Sequence, residues 1–591
     1  MLRAFCILIA LTVPMRAQFF GLATPADGST VYFATTLRLK NTTQPDYGKL
    51  FRVDAGRLSL QESRPYQAAP PLPSGIAAVG QISLSNAYDL QAASVSSDGQ
   101  VLAATARRDC LDVQSLCAKR HLGFVTTITA SGSSRDYADL LRLSANGKWA
   151  FGGTGTPHFS SDYGYLVNLT TGEQTTLSLS IDTFQVAASG RPVANDGTAV
   201  FSDSRAVVVL QGSQVLRIPT QNNDQPVDAV IDAGARTVVY SVIAALEIVP
   251  GGFCICGNQT LRVAAVGGES ALLAADGHAP SLSDDGRTVL YLSSRSGTQQ
   301  AWLIHTDGSG DRQLTQHPLG ITSAILSGDG STAYAVTLGG QLLKIAAASG
   351  EIEELIPRTP YVDPGQTTAP GKLTTFTGEG LSDFAVSAAP PLPYTLDSVQ
   401  VTLQGKATRI LAIQPTLLTV LTPPDVTLTL YPIASPLLVD AASFSPFSAP
   451  SVAVYIVSDS PEFLLPDGHH MLAAHEDWSA LVTAATPAHL GEIVHAYAVG
   501  LGATSPAVPY GAPAPAQEPL ARLAAGYQCS YSSGTAEKQV QILYQGLAPN
   551  LAGIYQIDWR IPLDLATGDI VIVCRVPNGV STWFGLIPVG P

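Results

Sequence analysis

The sequence predicts an all-β protein in which a ring of repeated four-stranded units, a β-propeller, is followed by two β-sandwich modules. Three observations predict this fold class. Short apolar segments repeat around glycine-containing turns, charged residues make up only 13% of the 591 residues while 46% are apolar, and the chain contains 53 Gly and 41 Pro. This composition is rich in turns and unlike that of long helices. A chain of this length also exceeds one hydrophobic core, and three or four folding units are expected.

The repeat is clearest in residues 282–308, where the turn Asp285-Gly286 precedes an apolar strand and a second strand follows through Trp302. A single four-stranded unit cannot bury both of its faces, so repetition indicates stacked units. Seven turns at an average spacing of about fifty residues favour seven blades over residues 19–357, with six and eight as alternatives. The related turns are Asp27-Gly28, Asp98-Gly99, Asn146-Gly147, Asp196-Gly197, Ala233-Gly234 and Asp329-Gly330.

Residues 281–317 carry several further motifs. They combine the hairpin Ser283-Asp284-Asp285-Gly286, the strand Trp302-Leu303-Ile304 and the closing turn Asp307-Gly308-Ser309-Gly310 before Gln313-Leu314-Thr315. With these motifs the segment resembles the repeat of TolB-type propellers of the wider WD40-like group. The resemblance implies a propeller fold for residues 19–357.

After Pro357 the pattern changes to a Pro- and Gly-rich, linker-like stretch and then to segments of alternating polarity. Such alternation with Pro and Gly turns is typical of sandwich strands. Two sandwiches are therefore predicted, over residues 358–460 and 461–591. The predicted strands are 399–403, 417–421, 493–499, 540–544, 555–561 and 569–576.

Three motifs in this half carry a second resemblance. They are Ala369-Pro370-Gly371 with Phe376-Thr377-Gly378-Glu379-Gly380-Leu381, then Ala498-Val499-Gly500-Leu501-Gly502, and residues 544–557, YQGLAPNLAGIYQI. On these motifs the region resembles a C-terminal domain of unknown role found on secreted acidobacterial proteins, whose first part is similar to immunoglobulin-like IPT/TIG modules. The resemblance implies export and an immunoglobulin-like sandwich fold, and it implies no reaction.

The first seventeen residues predict a secretory signal peptide. A short basic start, Met1-Leu2-Arg3, precedes an apolar run, and cleavage is expected after Ala17. The run has about a dozen residues, fewer than the ~20 that span a bilayer, and no later stretch qualifies as a membrane helix. The mature protein is therefore expected to have no membrane span and to be secreted, periplasmic or held at a bacterial cell surface.

Six cysteines outside the signal are expected to form structural disulfides, because exported proteins use cysteine in this way. Pairing of Cys110 with Cys117 would close a small loop, and pairing of Cys529 with Cys574 would join two strands of the last module. The pairing of Cys254 and Cys256 stays open, since two cysteines so close in sequence strain a bridge. All six residues, Cys110, Cys117, Cys254, Cys256, Cys529 and Cys574, are interpreted as structural.

No catalytic, cofactor-binding or metal-binding residue is assigned from the sequence. A propeller peptidase would need a Gly-x-Ser-x-Gly nucleophile turn, which is absent from the sequence. The Asp-Gly turns are expected to cap hairpins through their own backbone and not to bind calcium.

The remaining candidates are histidines and aromatic residues. The group His469, His470, His475 and Glu476 lacks the zinc-protease spacing and is expected at the surface. His489 and His495 would join it only if the fold brings them together. Trp302 and Trp559 fall on predicted strands and are expected to pack between sheets, whereas Trp478 is the tryptophan expected to be exposed.

The net charge of −14, without a block of Lys or Arg, excludes a nucleic-acid partner, because such binding depends on positive charge. The leading hypothesis is a secreted binding protein. Its propeller would recognise an extracellular protein or polysaccharide, and its sandwiches would act as a spacer or surface attachment. The alternatives are a propeller enzyme of the glycan lyase, glycosidase or lactonase type with its site at the central channel, and a structural envelope or adhesion component. No cofactor is expected.

Overall fold

All regular elements that the computed structural model describes are β-strands, in agreement with the predicted all-β class. The chain divides into two compact units, Met1–Arg358 and Thr359–Pro591. In the described ranges no helix has the length and apolarity needed to cross a membrane. The described residues are 19–35, 38–39, 49–54, 57–63, 84–110, 124–130, 133–138, 140–153, 163–178, 187, 190–203, 205–220, 224–244, 247–249, 252–254, 259–363, 365–429, 435–441, 447–448, 452–458, 460–533, 536–575 and 582–590.

Within its described residues, the first unit contains six four-stranded sheets and one three-stranded sheet, each built from strands in chain order. Sheet 1 consists of Phe20–Ala23, Thr30–Thr35, Lys49–Asp54 and Arg57–Ser63. Sheet 2 consists of Leu84–Val95, Val101–Cys110, Phe124–Ala130 and Ser133–Ala138. Sheet 3 consists of Leu140–Leu143, Trp149–Gly153, Tyr163–Asn168 and Gln174–Ser178. Sheet 4, the three-stranded one, consists of Ala199–Ser202, Ala206–Gln211 and Gln214–Pro219.

The remaining sheets of this unit follow the same antiparallel order. Sheet 5 consists of Gln225–Ile231, Thr237–Ile243, Gln259–Ala265 and Ser270–Ala274. Sheet 6 consists of His278–Leu282, Thr288–Ser293, Gln300–His305 and Arg312–Gln313. Sheet 7 consists of Ile321–Leu326, Thr332–Thr337, Leu342–Ala346 and Ile352–Ile356. The other strands are Arg38–Leu39 and the hairpin Glu247–Val249 with Gly252–Cys254.

In sheets 4 to 7, burial falls from the second strand listed above, which in sheet 4 is Ala206–Gln211, to the last strand. In sheet 6, Val289, Leu290 and Tyr291 are all 0% exposed, whereas most of Ile352–Ile356, the last strand of sheet 7, is exposed. A strand covered on both faces reads as a continuous apolar run and not as an alternation. The apolar segments of the repeat are therefore the strands held between neighbouring sheets.

A closed circuit of hydrogen bonds joins the glycine turns of the seven sheets. Each turn lies between the first two strands of its sheet; in sheet 4, Val193 forms a bridge with Ala199 in place of a full first strand. The bonds are between 2.7 and 3.1 Å long, and the last of them joins sheet 7 to sheet 1. They run from Ala26 N to Ser97 O, Ser97 N to Ala145 O, Asn146 N to Asn195 Oδ1, Asn195 N to Ala233 O, Ala233 N to Asp284 O, Asp284 N to Gly328 O, and Asp329 N to Ala26 O. This closed ring of sheets is a β-propeller.

Six of these turns are capped by an Asp or Asn side chain that accepts a hydrogen bond from the backbone N–H two residues later, as expected for Asp-Gly turns. The capping residues are Asp27, Asp98, Asn146, Asp196, Asp285 and Asp329.

The turn of sheet 5 differs from the predicted pattern. Its positive φ of 55° belongs to Ala235, so the assignment of Gly234 as the turn glycine was wrong by one residue. The cap comes instead from Asp232, whose carboxylate accepts hydrogen bonds from Gly234 N, Arg236 N and Thr237 N. A buried carboxylate two residues upstream thus replaces the usual Asp.

In the second unit, four sheets form two pairs. The first pair encloses a core that contains Phe376, Val401 and Val454. Its five-stranded sheet has the spatial order Tyr361–Val362, Leu373–Glu379, Leu417–Leu421, Arg409–Ile413 and Val386–Ser387. Its six-stranded sheet has the order Thr367–Thr368, Val452–Ile456, Ser435–Ala441, Val399–Leu403 and Thr395–Leu396, with Lys406–Ala407 beside Val399–Leu403. Thr367–Thr368 and Tyr361–Val362 lie in the stretch predicted as a linker, so part of that stretch is strand.

The second pair encloses a core around Trp559, which is 0% exposed and contacts Phe463 edge to face. Its seven-stranded sheet has the order Glu462–Phe463, Ile493–Val499, Tyr555–Arg560, Gln541–Leu547, Arg522–Leu523 and Thr504–Ser505, with Ala473–Ala474 also beside Ile493–Val499. Its four-stranded sheet has the order Ala536–Gln539, Gln528–Ser533, Gly568–Arg575 and Thr582–Val589. A short strand, Phe447–Ser448, completes the strands of this unit that the structure describes.

A disulfide joins Cys529 and Cys574 on neighbouring strands of the four-stranded sheet. Their Cα atoms are 4.0 Å apart, and both residues are 0% exposed. The pairing of Cys110, Cys117, Cys254 and Cys256 falls outside the described residues, because Cys117, Cys256 and the side chains of the other two are not described.

Candidate functional site

The centre of the propeller is lined by the first strands of the sheets and by two arginines, of which Arg142 is buried and Arg191 is partly buried. Arg142 is 5% exposed, and its Nη1 lies 3.4 Å from the carbonyl oxygen of Ala93. Burial lowers the pKa of Arg142 to about 10, because the low-dielectric interior disfavours the charged form. The guanidinium thus sits inside the ring and not at its rim.

Arg191 bridges parts of the ring that are distant in sequence. Its Nη1 lies 3.3 Å from the carbonyl oxygen of Val95 in sheet 2, and its Nε lies 3.4 Å from Oδ1 of Asp284, beside sheet 6. Ser97 donates a hydrogen bond to the other oxygen of Asp284. Burial lowers the pKa of Arg191, and the charge of Asp284 opposes this shift. The channel is therefore crossed by an arginine paired with one carboxylate.

Little space remains around these side chains. The cavity between them measures about 30 Å³ by the centres of water-sized spheres. One water needs roughly 10–15 Å³ on this measure, so the cavity holds about two waters. A sugar ring or a peptide side chain does not fit in this part of the channel.

A second polar group lies on the first strands of sheets 5 and 6. Burial lowers the pKa of His278, although the negative charges of Asp228 and Asp276 act in the opposite direction. Asp276 accepts hydrogen bonds from Ser293 Oγ at 2.6 Å and from Ser294 N at 2.9 Å. This carboxylate therefore holds the turn that follows the second strand of sheet 6.

A larger pocket, of about 360 Å³, lies beside sheets 4 and 5 of the propeller. Its polar lining includes Thr220, Asp224, Arg262, Glu269 and Ser270. Arg262 Nε donates a 2.8 Å hydrogen bond to Ser270 Oγ, and the hydroxyl oxygens of Tyr240 and Ser270 are 2.5 Å apart. The pocket thus offers a fixed guanidinium beside two acidic residues. No local pattern predicts this pocket, because its lining residues come from four strands and from the segments between them.

In the second unit, the structure brings together three histidines whose proximity the sequence left open. His475 Nδ1 lies 2.7 Å from Oε1 of Glu492, and the His475 and His489 rings are 6.4 Å apart. His489 N donates to the second oxygen of Glu492 at 2.8 Å. Burial favours the neutral carboxyl, but the hydrogen bonds from His489 and His475 outweigh it, and the pKa of Glu492 is lowered.

His495 forms the second histidine–carboxylate pair of this cluster. Its Nδ1 lies 2.8 Å from Oδ1 of Asp558, and its Nε2 lies 3.3 Å from the carbonyl oxygen of Glu476. Burial disfavours the charged imidazole, but the hydrogen bond to Asp558 outweighs this effect and raises the pKa of His495. Trp478 stacks on this imidazole at 4.0 Å with an interplanar angle of 7°.

His469 and His470 lie apart from that cluster on a turn of their own. His470 Nδ1 lies 2.6 Å from Asp467 and its Nε2 lies 3.4 Å from Asp569. The hydrogen bond with Asp467 raises the pKa of His470. In the part of the chain that is described, no three His, Cys, Asp or Glu side chains are placed to hold a metal ion.

The acidic turns considered for calcium carry structural roles. Asp285 caps its turn by accepting from Arg287 N, and Asp307 accepts from Ser309 N at 2.8 Å. Asp311 accepts from the Tyr291 hydroxyl and from Arg295, both at 2.6 Å. Arg295 in turn stacks 3.5 Å over the ring of Trp302, which is partly buried against the core as expected.

Sequence reasoning missed the two channel arginines. The available signal was a charged residue in an apolar first strand, Leu140-Leu141-Arg142-Leu143, directly before a turn. Arg191 stands three residues before Ala194, in the segment that replaces the first strand of sheet 4.

No protein-family model matches the chain, and no curated protein matches it. Among solved structures, TolB from Acinetobacter baumannii is similar, with 14% identity over 48% of this chain and 62% of that chain and a TM-score of 0.28. The propeller domain of the Trilobed protease from Pyrococcus furiosus has 7% identity over 58% and 98%, with a TM-score of 0.36. An acylaminoacyl peptidase has 8% identity over 61% and 58%, with a TM-score of 0.37. The chain thus spans less than two thirds of the length of the TolB and peptidase chains, and its propeller assignment rests on its own ring of sheets.

Proposed function

We propose that this chain is an extracellular binding protein whose propeller recognises an extracellular protein or polysaccharide. The pocket beside sheets 4 and 5 carries this proposal. Its volume of about 360 Å³ lies in the usual range of roughly 300–1,000 Å³ for ligand sites, and its lining combines Arg262 with Asp224 and Glu269. The pocket stands on a ring that hydrogen bonds close at every junction, and a rigid scaffold of this kind holds recognition groups in place at low entropic cost.

The cavity around Arg142 and Arg191 supports a structural role for that part of the ring interior. The cavity of about 30 Å³ has no Asp or Glu in its described lining, and Arg191 pairs with the carboxylate of Asp284 beside it. Glycoside hydrolysis of the usual kind needs two carboxyl groups facing the bond that breaks. An arginine–aspartate pair in so small a space serves to hold the sheets together.

Export and the modular organisation belong to the same proposal. The buried Cys529–Cys574 disulfide supports an oxidising compartment, because such bonds persist mainly outside the cytosol. The two sheet pairs of the second unit support assignment of residues 358–460 and 461–591 as two immunoglobulin-like modules that act as a spacer or surface attachment. Mass spectrometry of the exported protein tests the leader, and an N-terminus at Gln18 is expected.

The binding function is tested with the full mature chain immobilised against envelope fractions and a broad glycan array. We expect a specific ligand whose capture is lost in Arg262→Ala and Glu269→Lys and kept in Arg287→Ala. Arg287 is a matched control, since it is exposed and lies on the turn of sheet 6. If neither the envelope fractions nor the glycan array yields a ligand, the binding function is refuted. If all three variants capture the ligand equally, the ligand does not bind in this pocket.

A further inference from the structure

Trp478 occupies a backbone conformation that bulky residues avoid. Its φ is +60°, in the left-handed region where glycine or asparagine is usual. The residue closes a tight turn in which Trp478 N donates to His475 O at 2.9 Å and His475 N donates to Ala480 O at 3.1 Å. Backbone strain of this kind is often found at functional sites. A tryptophan held there against its backbone preference indicates a use for its ring.

One face of the Trp478 ring is covered and the other is open. The His495 imidazole covers one face at 4.0 Å with the rings nearly parallel. The residue is nevertheless 54% exposed, which leaves the second face accessible to solvent. An aromatic ring with one supported face and one free face is a stacking platform for a flat ligand.

The imidazole on which Trp478 stacks is held in place by hydrogen bonds. His495 is held by Asp558 at 2.8 Å and by the carbonyl oxygen of Glu476 at 3.3 Å, and Gln556 Nε2 donates to Asp558 at 2.8 Å. His495 lies on the central strand Ile493–Val499, and Asp558 and Gln556 lie on the neighbouring strand Tyr555–Arg560. The ring therefore loses little freedom when a ligand binds, which favours affinity.

Two acidic residues that directly precede Trp478 in the sequence indicate the chemistry of the ligand. Asp477 and Glu476 are exposed neighbours, and each carboxylate accepts one backbone hydrogen bond, from Ser479 N and Ile493 N. The hydrogen bonds from Ser479 lower the pKa of Asp477, so it is charged at neutral pH. Two carboxylates repel anionic ligands and accept hydrogen bonds from hydroxyl groups.

We propose that Trp478, with Glu476 and Asp477, forms a binding site for a neutral polysaccharide of β-linked pyranose units. The axial C–H groups of such a unit form an apolar face that stacks on the open side of the indole, and its equatorial hydroxyls donate to the two carboxylates. This inference deepens the proposed function and rests on it, because it gives the C-terminal unit its own ligand for surface attachment.

The test uses the full mature chain with microcrystalline cellulose, chitin and a soluble β-1,3-glucan as probes. Wild type is expected to bind at least one of them, and Trp478→Gly is expected to weaken that binding at least tenfold without lowering the unfolding temperature, since glycine relieves the positive φ. Trp478→Tyr keeps a stacking face and is expected to bind within fivefold of wild type. Phe584→Ala is the matched control, because Phe584 is an aromatic residue of the same unit that is 68% exposed.

Several results would contradict the proposal of a polysaccharide site at Trp478. It fails if wild type binds none of the three polysaccharides, if Trp478→Gly binds within twofold of wild type, or if Phe584→Ala loses as much binding as Trp478→Gly. It also fails if Trp478→Gly and Trp478→Tyr both unfold, because the ring would then serve the fold. Each of these results leaves the proposed function standing where the envelope pull-down still recovers a ligand that depends on Arg262, so the two failures are distinguishable.

Discussion

Replacement of Asp232 by Ala measures how much one buried carboxylate stabilises the propeller ring. The Asp232 side chain is 0% exposed, and it accepts from Arg236 N at 2.7 Å, Thr237 N at 2.6 Å and Gly234 N at 3.2 Å. The substitution leaves three backbone N–H groups without their acceptor. The turn also contains Ala233, through which the circuit passes from sheet 4 to sheet 6.

The expected loss follows from these contacts. A buried donor that loses its partner costs ~1–3 kcal/mol, and the turn is partly accessible to water, so the low end applies to each of the three groups. The ion pair with Arg236 adds little, because that side chain is 69% exposed. We therefore expect Asp232→Ala to destabilise the first unit by about 3 kcal/mol, which corresponds to a fall in unfolding temperature of roughly 4 °C for a unit of this length.

The assay is thermal and urea unfolding of the full mature chain, with the transition of the first unit followed separately. Asp232→Ser is the matched variant, since Ser96, Ser144, Ser283 and Ser327 occupy the corresponding position in other turns and accept from the N–H five residues later. Asp232→Ser is expected to lower the stability of the first unit by about half as much as Asp232→Ala. A loss below about 0.5 kcal/mol for Asp232→Ala, the size of an ordinary surface change, would refute the reasoning.

Three further predictions concern other described features. Ala235→Gly should stabilise the first unit by about 0.5–1 kcal/mol, because it removes the strain of φ 55°, and a lower urea midpoint would contradict this. Cys529→Ala with Cys574→Ala should destabilise the second unit by about 4 kcal/mol, from the loop entropy of a 45-residue separation, and an unchanged midpoint under non-reducing conditions would exclude that role for the bond. The stability contributed by the His495–Asp558 pair should be fully present below about pH 6.5 and should fall as the pH rises through the higher pKa of folded His495, so the difference between wild type and His495→Gln should be smaller at pH 8.5 than at pH 6. A stability difference that is larger at pH 8.5 than at pH 6 would contradict this prediction.

Local patterns were sufficient to predict many strands of the second unit. The strands Val399–Leu403, Leu417–Leu421 and Ile493–Val499 have the predicted bounds. Their residues alternate in polarity, and the same residues alternate in burial. The glycine turns of the propeller were recognisable for a similar reason, since a positive φ selects glycine. The turn of sheet 5 was not predicted correctly, because its residue with positive φ is Ala235 and not a glycine, and its cap comes from Asp232.

The candidate sites depend on contacts between distant segments, which local patterns do not contain. Asp558 lies 63 residues beyond His495, and Arg191 lies 96 residues beyond Val95. The exposure of Trp478 was predictable from its polar neighbours, but its stacking on His495 was not, since it arises when a tight turn folds back over the sheet. The sequence therefore indicated the residue and not the arrangement around it.

The propeller ring has a seam. Sheets 1 and 7 are each completed by their own consecutive strands, so no described strand interlocks the two ends. They meet through Asp329 N with Ala26 O, and through the Tyr334 hydroxyl, which donates to Gly28 O at 2.7 Å. Gly28 permits this closeness, since a Cβ there would lie 2.5 Å from Thr332 Cβ. The chain leaves sheet 7 directly for the C-terminal unit, so tension applied through that unit would reach sheet 7 first and load its junctions with sheets 1 and 6.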